Sequence, residues 1–195
     1  MSASAAFSAI MITGALVLPE TSVGMTEASA TVSPAMPKKH IWRIYDYPHV
    51  ILMYYNMYQV AKSYPQMVHY LDQDGYLQRA YGTAMALYTY PEQLDNWRPY
   101  STGTYNELVI PAVIRAMEES GKQDQADKLR AKWELKAKTF INQKPNLWGS
   151  EYAFDSTGFE STEALAKYSM ERLRDPTATD FRAAVKQEDA EAFLE

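Results

Sequence analysis

Val50-Ile51-Leu52-Met53-Tyr54-Tyr55-Asn56-Met57-Tyr58-Gln59-Val60-Ala61-Lys62-Ser63 is apolar or aromatic on nearly every face of a helix. Asn56 and Gln59 are its sole polar interruptions before Lys62. An all-round apolar helix of this length in a water-soluble chain predicts enclosure by other helices. Just upstream, Pro48 fits a first helical position and Asp46 fits a cap. Tyr64-Pro65 ends the run.

Working outward, the other segments repeat the helical period. Asp72-Gln73-Asp74-Gly75 has the beginning of a calcium loop without its remaining ligands, and reads as a turn and helix cap. The helix that follows, from about 75 to 90, carries Tyr76, Leu77, Ala80, Tyr81, Ala84, Leu87 and Tyr88 at helical spacing. Residues 91–103 read as a loop. Thr104 to Met117 is apolar, with Pro111 either kinking the helix or marking its true start and Gly121 as its C-terminal cap. Lys122 to Gln143 differs, because Ala126, Leu129, Trp133, Lys136 or Ala137, and Phe140 form one stripe and charged residues cover the remainder. Thr162 to Arg174 turns Ala164, Leu165, Tyr168 and Leu173 inward, Asp175-Pro176 stops it, and one amphipathic helix from Thr179 to Leu194 follows. No alternating strand pattern of useful length occurs. The expected fold is all-α, with buried and solvated helices alternating as hairpins in a ring or array. The loops at 40–48, 91–103 and 148–160 precede inner helices and should meet at one rim.

The totals fit a single globular domain: 195 residues, 47% hydrophobic, 22% charged. The net charge of -5 and the lack of a basic run argue against a nucleic-acid partner. The absence of cysteine excludes disulfides, thiolate metal sites and cysteine nucleophiles. His40, His49 and His69 show no ligand spacing with acids, so neither metal nor cofactor is expected. Of the 15 tyrosines, thirteen lie between Tyr45 and Tyr105, a density suited to a half-wet cleft or to ordinary helix packing.

Residues 1–36 differ in texture and read as a leader, a secretory signal or a poorly ordered segment, with 37–195 as the folded domain. Ala5 to Leu18 resembles a signal core and Ala28-Ser29-Ala30 a cleavage site, although no Lys or Arg precedes the apolar run. Ser8, Thr13 and Gly14 interrupt that run and Pro19-Glu20 ends it, so no stable membrane span is expected. The expected location is secreted or periplasmic.

Trp148-Gly149-Ser150-Glu151-Tyr152-Ala153-Phe154-Asp155-Ser156-Thr157-Gly158-Phe159-Glu160 is the most unusual loop, mixing acids with aromatics and holding no lysine or arginine. Such mixtures suit carbohydrate sites, where rings stack on sugar faces and carboxylates handle hydroxyls or glycosidic oxygens. The plainer reading is a helix connection whose aromatics plug a core.

Together with Trp42-Arg43-Ile44-Tyr45-Asp46-Tyr47-Pro48-His49 and Tyr105-Asn106-Glu107-Leu108-Val109-Ile110-Pro111, this loop resembles a family of large secreted microbial proteins of unknown function. That family looks like six-hairpin (α/α)6 toroid glycosidases. The resemblance covers roughly residues 40–174 and implies a toroid fold with a polysaccharide or oligosaccharide as partner. A closed ring needs more helices than this chain holds. About half a toroid is expected, with helix faces left open to self-association.

Hydrolysis of a glycosidic bond needs one protonated carboxyl and one carboxylate. Asp46, Glu107, Glu151 and Asp155 are the catalytic candidates. Glu107 begins a buried helix, where desolvation favours an acid's role, but a capping or buried hydrogen-bonding glutamate is the plainer account. Asp155 equally suits loop architecture, and Glu160 suits helix capping. Arg43 and His49, beside Asp46, are candidates for sugar hydroxyls or an acidic sugar, with a buried carboxylate-bonded histidine as the alternative for His49. Trp42, Tyr45, Trp97, Trp148 and Tyr152 are substrate-binding candidates, while Trp133 belongs to the core. Toroids also include lyases that use a tyrosine base with Asn, His or Arg neutralising a carboxylate, and Tyr105, Asn106, His49 and Arg43 supply those types. A non-catalytic glycan-binding or structural module is the third reading.

Overall fold

The computed structural model describes residues 43–95, 98–142 and 156–194. The leader over 1–36 lies outside them. The regular elements are α1 (Asp46–Ser63), α2 (Gln73–Leu87), α3 (Tyr90–Asp95), α4 (Val109–Glu119), α5 (Gln123–Asn142), α6 (Ser156–Arg174), α7 (Thr179–Ala184) and α8 (Gln187–Glu191), with short 3-10 turns at Pro65–Met67 and Pro99–Ser101. No strand occurs among the described residues. The all-α expectation holds at that level.

Side-chain ties between helix ends set the topology. The C-terminal part of α1 meets that of α4 through Lys62–Glu119 at 3.5 Å, and the start of α2 meets the α4–α5 turn through Asp74–Lys122 at 2.7 Å. Gln78 and Gln125 exchange amide bonds of 2.9 and 3.1 Å between α2 and α5. At the opposite end, the start of α1 meets the turn before α4 through His49 and Asn106. Helices α1, α2, α4 and α5 therefore alternate in direction, with α1 packed on α2 and α4 on α5. Such alternation is what short connections between amphipathic helices produce.

Local chemistry explains the boundaries. The Asp72 carboxylate accepts from the Gly75 N–H at 2.7 Å, so the acidic turn is a helix cap. Gly121 has φ 72°, its N–H donates to the Glu118 carbonyl and that of Lys122 to the Met117 carbonyl. This paired pattern closes the end of α4 and needs a residue tolerant of the left-handed region. Asp175 accepts from the Thr177 N–H at 2.8 Å where α6 stops.

Several boundary expectations change. The helix expected from Thr162 begins at Ser156, so the end of the expected 148–160 loop is helical and Glu160 stands fifth in α6 rather than at its cap. Asp46 lies inside α1 as its first residue and Pro48 stands third, a position also tolerated because the first N–H groups of a helix have no intrahelical acceptor. Of the two readings of Pro111, the start of a helix holds and the kink does not, since Pro111 stands third in α4. The 91–103 loop begins with α3. The single C-terminal helix is two, because Val185 turns extended (φ -129°, ψ 129°) to bury its side chain.

The core holds the predicted α5 stripe, with Ala126, Leu129, Trp133, Lys136, Ala137 and Phe140 all buried. Enclosure of α1 is less complete than its composition implied. Ile51, Tyr54 and Tyr58 are buried, yet Met53 is 50% and Val60 37% exposed.

Candidate functional site

The N-terminal ends of three helices come together. His49 belongs to the first turn of α1, Tyr105–Leu108 form the turn leading into α4, and Ser161 lies in the second turn of α6. The Ser161 hydroxyl accepts from the Thr104 N–H at 2.9 Å and donates to the Thr104 carbonyl at 3.1 Å, tying α6 to the segment before α4. The starts of α1, α4 and α6 are thus linked through the segment before α4, while residues 40–42, 96–97 and 148–155 of the expected rim lie outside the described residues.

At its surface, the side-chain amide of Asn106 and Nδ1 of His49 share a hydrogen bond of 2.6 Å. The Tyr105 ring stacks on the His49 ring at 6.2 Å between centroids, with 24° between planes. Asn106 has φ 62°, a conformation asparagine tolerates better than most residues. Strained backbone of this kind is held by its surroundings and clusters at functional sites. His49 is exposed and bonded to an amide, which overturns the alternative of a buried, carboxylate-bonded histidine. Beside it, Arg43 and Asp46 form an ion pair at 3.3 Å in which both side chains keep solvent contact, and Tyr45 is half-buried.

Directly beneath lies Glu107, 0% exposed and ion-paired with Lys136 of α5, which is 1% exposed. The Lys136 ammonium also donates to the Thr102 carbonyl at 2.8 Å. Burial pushes the Lys136 pKa down, partly offset by the Glu107 charge. Glu107 thus lies below the rim, within the core, and fits the buried hydrogen-bonding account of that residue. Lys136 grips both sides of the Tyr105-Asn106 turn, through Thr102 before it and Glu107 after it. Tyr88 lies close by, its hydroxyl pushed well above the usual phenol range by burial and then by the Glu107 charge. Its ring stacks on Tyr100 at 5.3 Å.

The sequence expectations for Trp42, Trp97, Trp148, Glu151, Tyr152 and Asp155 fall outside the described residues. The structure brings together His49, Tyr105 and Asn106, and adjacent to them Arg43, Tyr45 and Asp46. Sequence reasoning missed Lys136, Thr104 and Ser161 as the supports of this surface. Lys136 alone left a signal, since a lysine on an apolar stripe requires a buried acid.

The fold and the converging helix starts define an all-helical domain with a polar aromatic rim. The chain belongs to DUF5695, a family of unknown function, whose family model matches residues 34–179. No curated protein and no solved structure matches it. Among the described residues no helix is long and apolar enough to cross a membrane, and no group of His, Asp and Glu suits a metal ion.

Proposed function

We propose that this chain is a carbohydrate-active protein, secreted or periplasmic, whose rim binds a polysaccharide. Its helical hairpins would be part of an (α/α)6 toroid of glycoside-hydrolase type. The observation that carries the reading is the His49–Asn106–Tyr105 cluster, held by a strained turn where three helices begin. An aromatic face beside an amide, an imidazole and the Arg43–Asp46 pair offers stacking together with donors and acceptors for hydroxyls. In the hydrolase reading, the carboxyl pair comes from Asp46, Glu151 and Asp155, since Glu107 is already neutralised by Lys136.

The same cluster favours a second reading, elimination from an acidic polysaccharide. Tyr105 would take the proton from the carbon that bears the sugar carboxylate, a C=C bond would form as the glycosidic C–O bond at the adjacent carbon breaks, and Tyr105 would return the proton to the departing oxygen, with Asn106, His49 and Arg43 stabilising the developing charge. Product analysis after incubating the chain with neutral and acidic polysaccharides separates the two. New reducing ends without ultraviolet absorbance support hydrolysis, whereas an absorbing unsaturated product supports elimination. Binding without turnover leaves a glycan-binding module, and neither binding nor turnover on any glycan contradicts the proposal.

A further inference from the structure

Helix α1 carries two apolar seams. Tyr47, Ile51, Tyr54, Tyr58 and Ala61 recur at alternate spacings of four and three, and all are buried where α1 packs on α2 and α4. The residues just before four of these, Val50, Met53, Met57 and Val60, together with Tyr64, repeat that alternation about 100° round the helix. The Tyr64 N–H still donates to the Val60 carbonyl at 2.7 Å, so the register runs as far as Tyr64. Met53 is 50%, Val60 37% and Tyr64 55% exposed, while Val50 and Met57 are half-buried. Of the eight large apolar side chains exposed among the described residues, five lie between Met53 and Tyr70, so this face is where exposed apolar surface gathers.

An apolar repeat averaging 3.5 residues is the pattern of a helix packed lengthwise on another helix. No Asp, Glu, Lys or Arg lies between Tyr47 and Ala61, whereas the solvent face of α5 holds Asp124, Asp127 and Lys128. The spacing from Met53 to Tyr64 is four, three, four, and it reads the same in reverse. A two-fold axis across the helix between Met57 and Val60 therefore sets Met53 against the partner's Tyr64 and Met57 against the partner's Val60, as an isologous contact requires. Thioether against phenol ring is a favourable contact. Opposed helix directions also bring unlike dipole ends together. The exposed borders, Asn56 and Gln59, are neutral, so two copies of a chain with net charge -5 meet here without like charges.

We infer that α1 is a homodimer interface, joined antiparallel to a second copy of this chain through Met53, Met57, Val60 and Tyr64. The helix has 18 residues, a length of about 27 Å. One helix face of that length falls short of the roughly 800 Å² per partner of a standard interface, so the dimer is weak, with a dissociation constant of about 10–100 µM. The interface does not depend on the reading of the rim.

The test is analytical ultracentrifugation of the full chain from about 1 to 200 µM, a range that brackets this constant. The mass should rise with concentration from 22.2 kDa toward twice that value. Val60 already reaches solvent, so Val60→Lys should keep its circular dichroism spectrum and weaken association tenfold or more. The chain has no cysteine, so Met53→Cys and Tyr64→Cys each introduce a unique thiol. Mixed and oxidised with diamide, the two single variants should form the mixed disulfide dimer well ahead of either variant's own disulfide. The inference is overturned by a monomer at every concentration, by association that Val60→Lys leaves unchanged, or by single variants that cross-link to themselves as readily as to each other.

Discussion

Replacing Lys136 by Met removes one partner of an ion pair whose members are 1% and 0% exposed. The methylene stem is kept in shape, but Glu107 remains as a charge inside the core. Removing one member of a buried pair costs about 3–5 kcal/mol. For a chain of 195 residues that is a fall of roughly 6–20 °C in Tm. Replacing both partners, as Lys136→Met with Glu107→Leu, eliminates the stranded charge and should recover most of the loss. Urea unfolding of the wild type, both single variants and the double variant forms a cycle whose coupling energy reports the pair. A Lys136→Met protein within about 1 kcal/mol of wild type would refute the assignment. So would a double variant as unstable as the sum of the singles.

Ser161→Ala leaves the buried Thr104 N–H without its acceptor and should cost about 1–3 kcal/mol in urea unfolding, while Ser161→Thr retains part of the interaction. Gly121→Ala meets no atom within 4 Å, so its cost is the left-handed backbone alone, about 1 kcal/mol in Tm-derived stability. Burial raises the Tyr47 hydroxyl to about 12 and also raises Tyr88 and Tyr168. Their folded-state values exceed the unfolded one near 10, so the native state holds more protons above that pH. Stability from these groups is complete below pH 10 and declines as pH rises through the folded values. Tyrosinate absorbance should therefore lag behind that of the denatured chain and rise abruptly on alkaline unfolding.

Much of the fold was legible because it rests on local rules. The α5 stripe is a period of about 3.6 residues, and Asp72, Gly121 and Asp175 act on backbone groups within a few residues of themselves. The break at Val185 was not legible, since it depends on a tertiary pocket that rewards burying Val185 over continuing the helix. At the rim, Arg43-Ile44-Tyr45-Asp46 and Tyr105-Asn106-Glu107 were visible as polar aromatic segments. Their separate roles were not. Whether a glutamate is buried or exposed depends on a lysine far along the chain, and Glu107 meets Lys136 across a separation of 29 residues. The bond between His49 and Asn106 spans 57 residues and depends on the sign of one backbone angle.

The central claim is that the His49–Asn106–Tyr105 rim is a sugar-binding surface. Calorimetric titration of the wild type and of Tyr105→Ala, Asn106→Ala and His49→Ala against a panel of polysaccharides tests it most directly, with circular dichroism confirming each fold. Loss of a stacked ring or a bidentate amide contact should weaken glycan binding by about 1–2 kcal/mol, roughly tenfold or more. Identical affinities for all four folded proteins, or no glycan bound by the wild type, would contradict it.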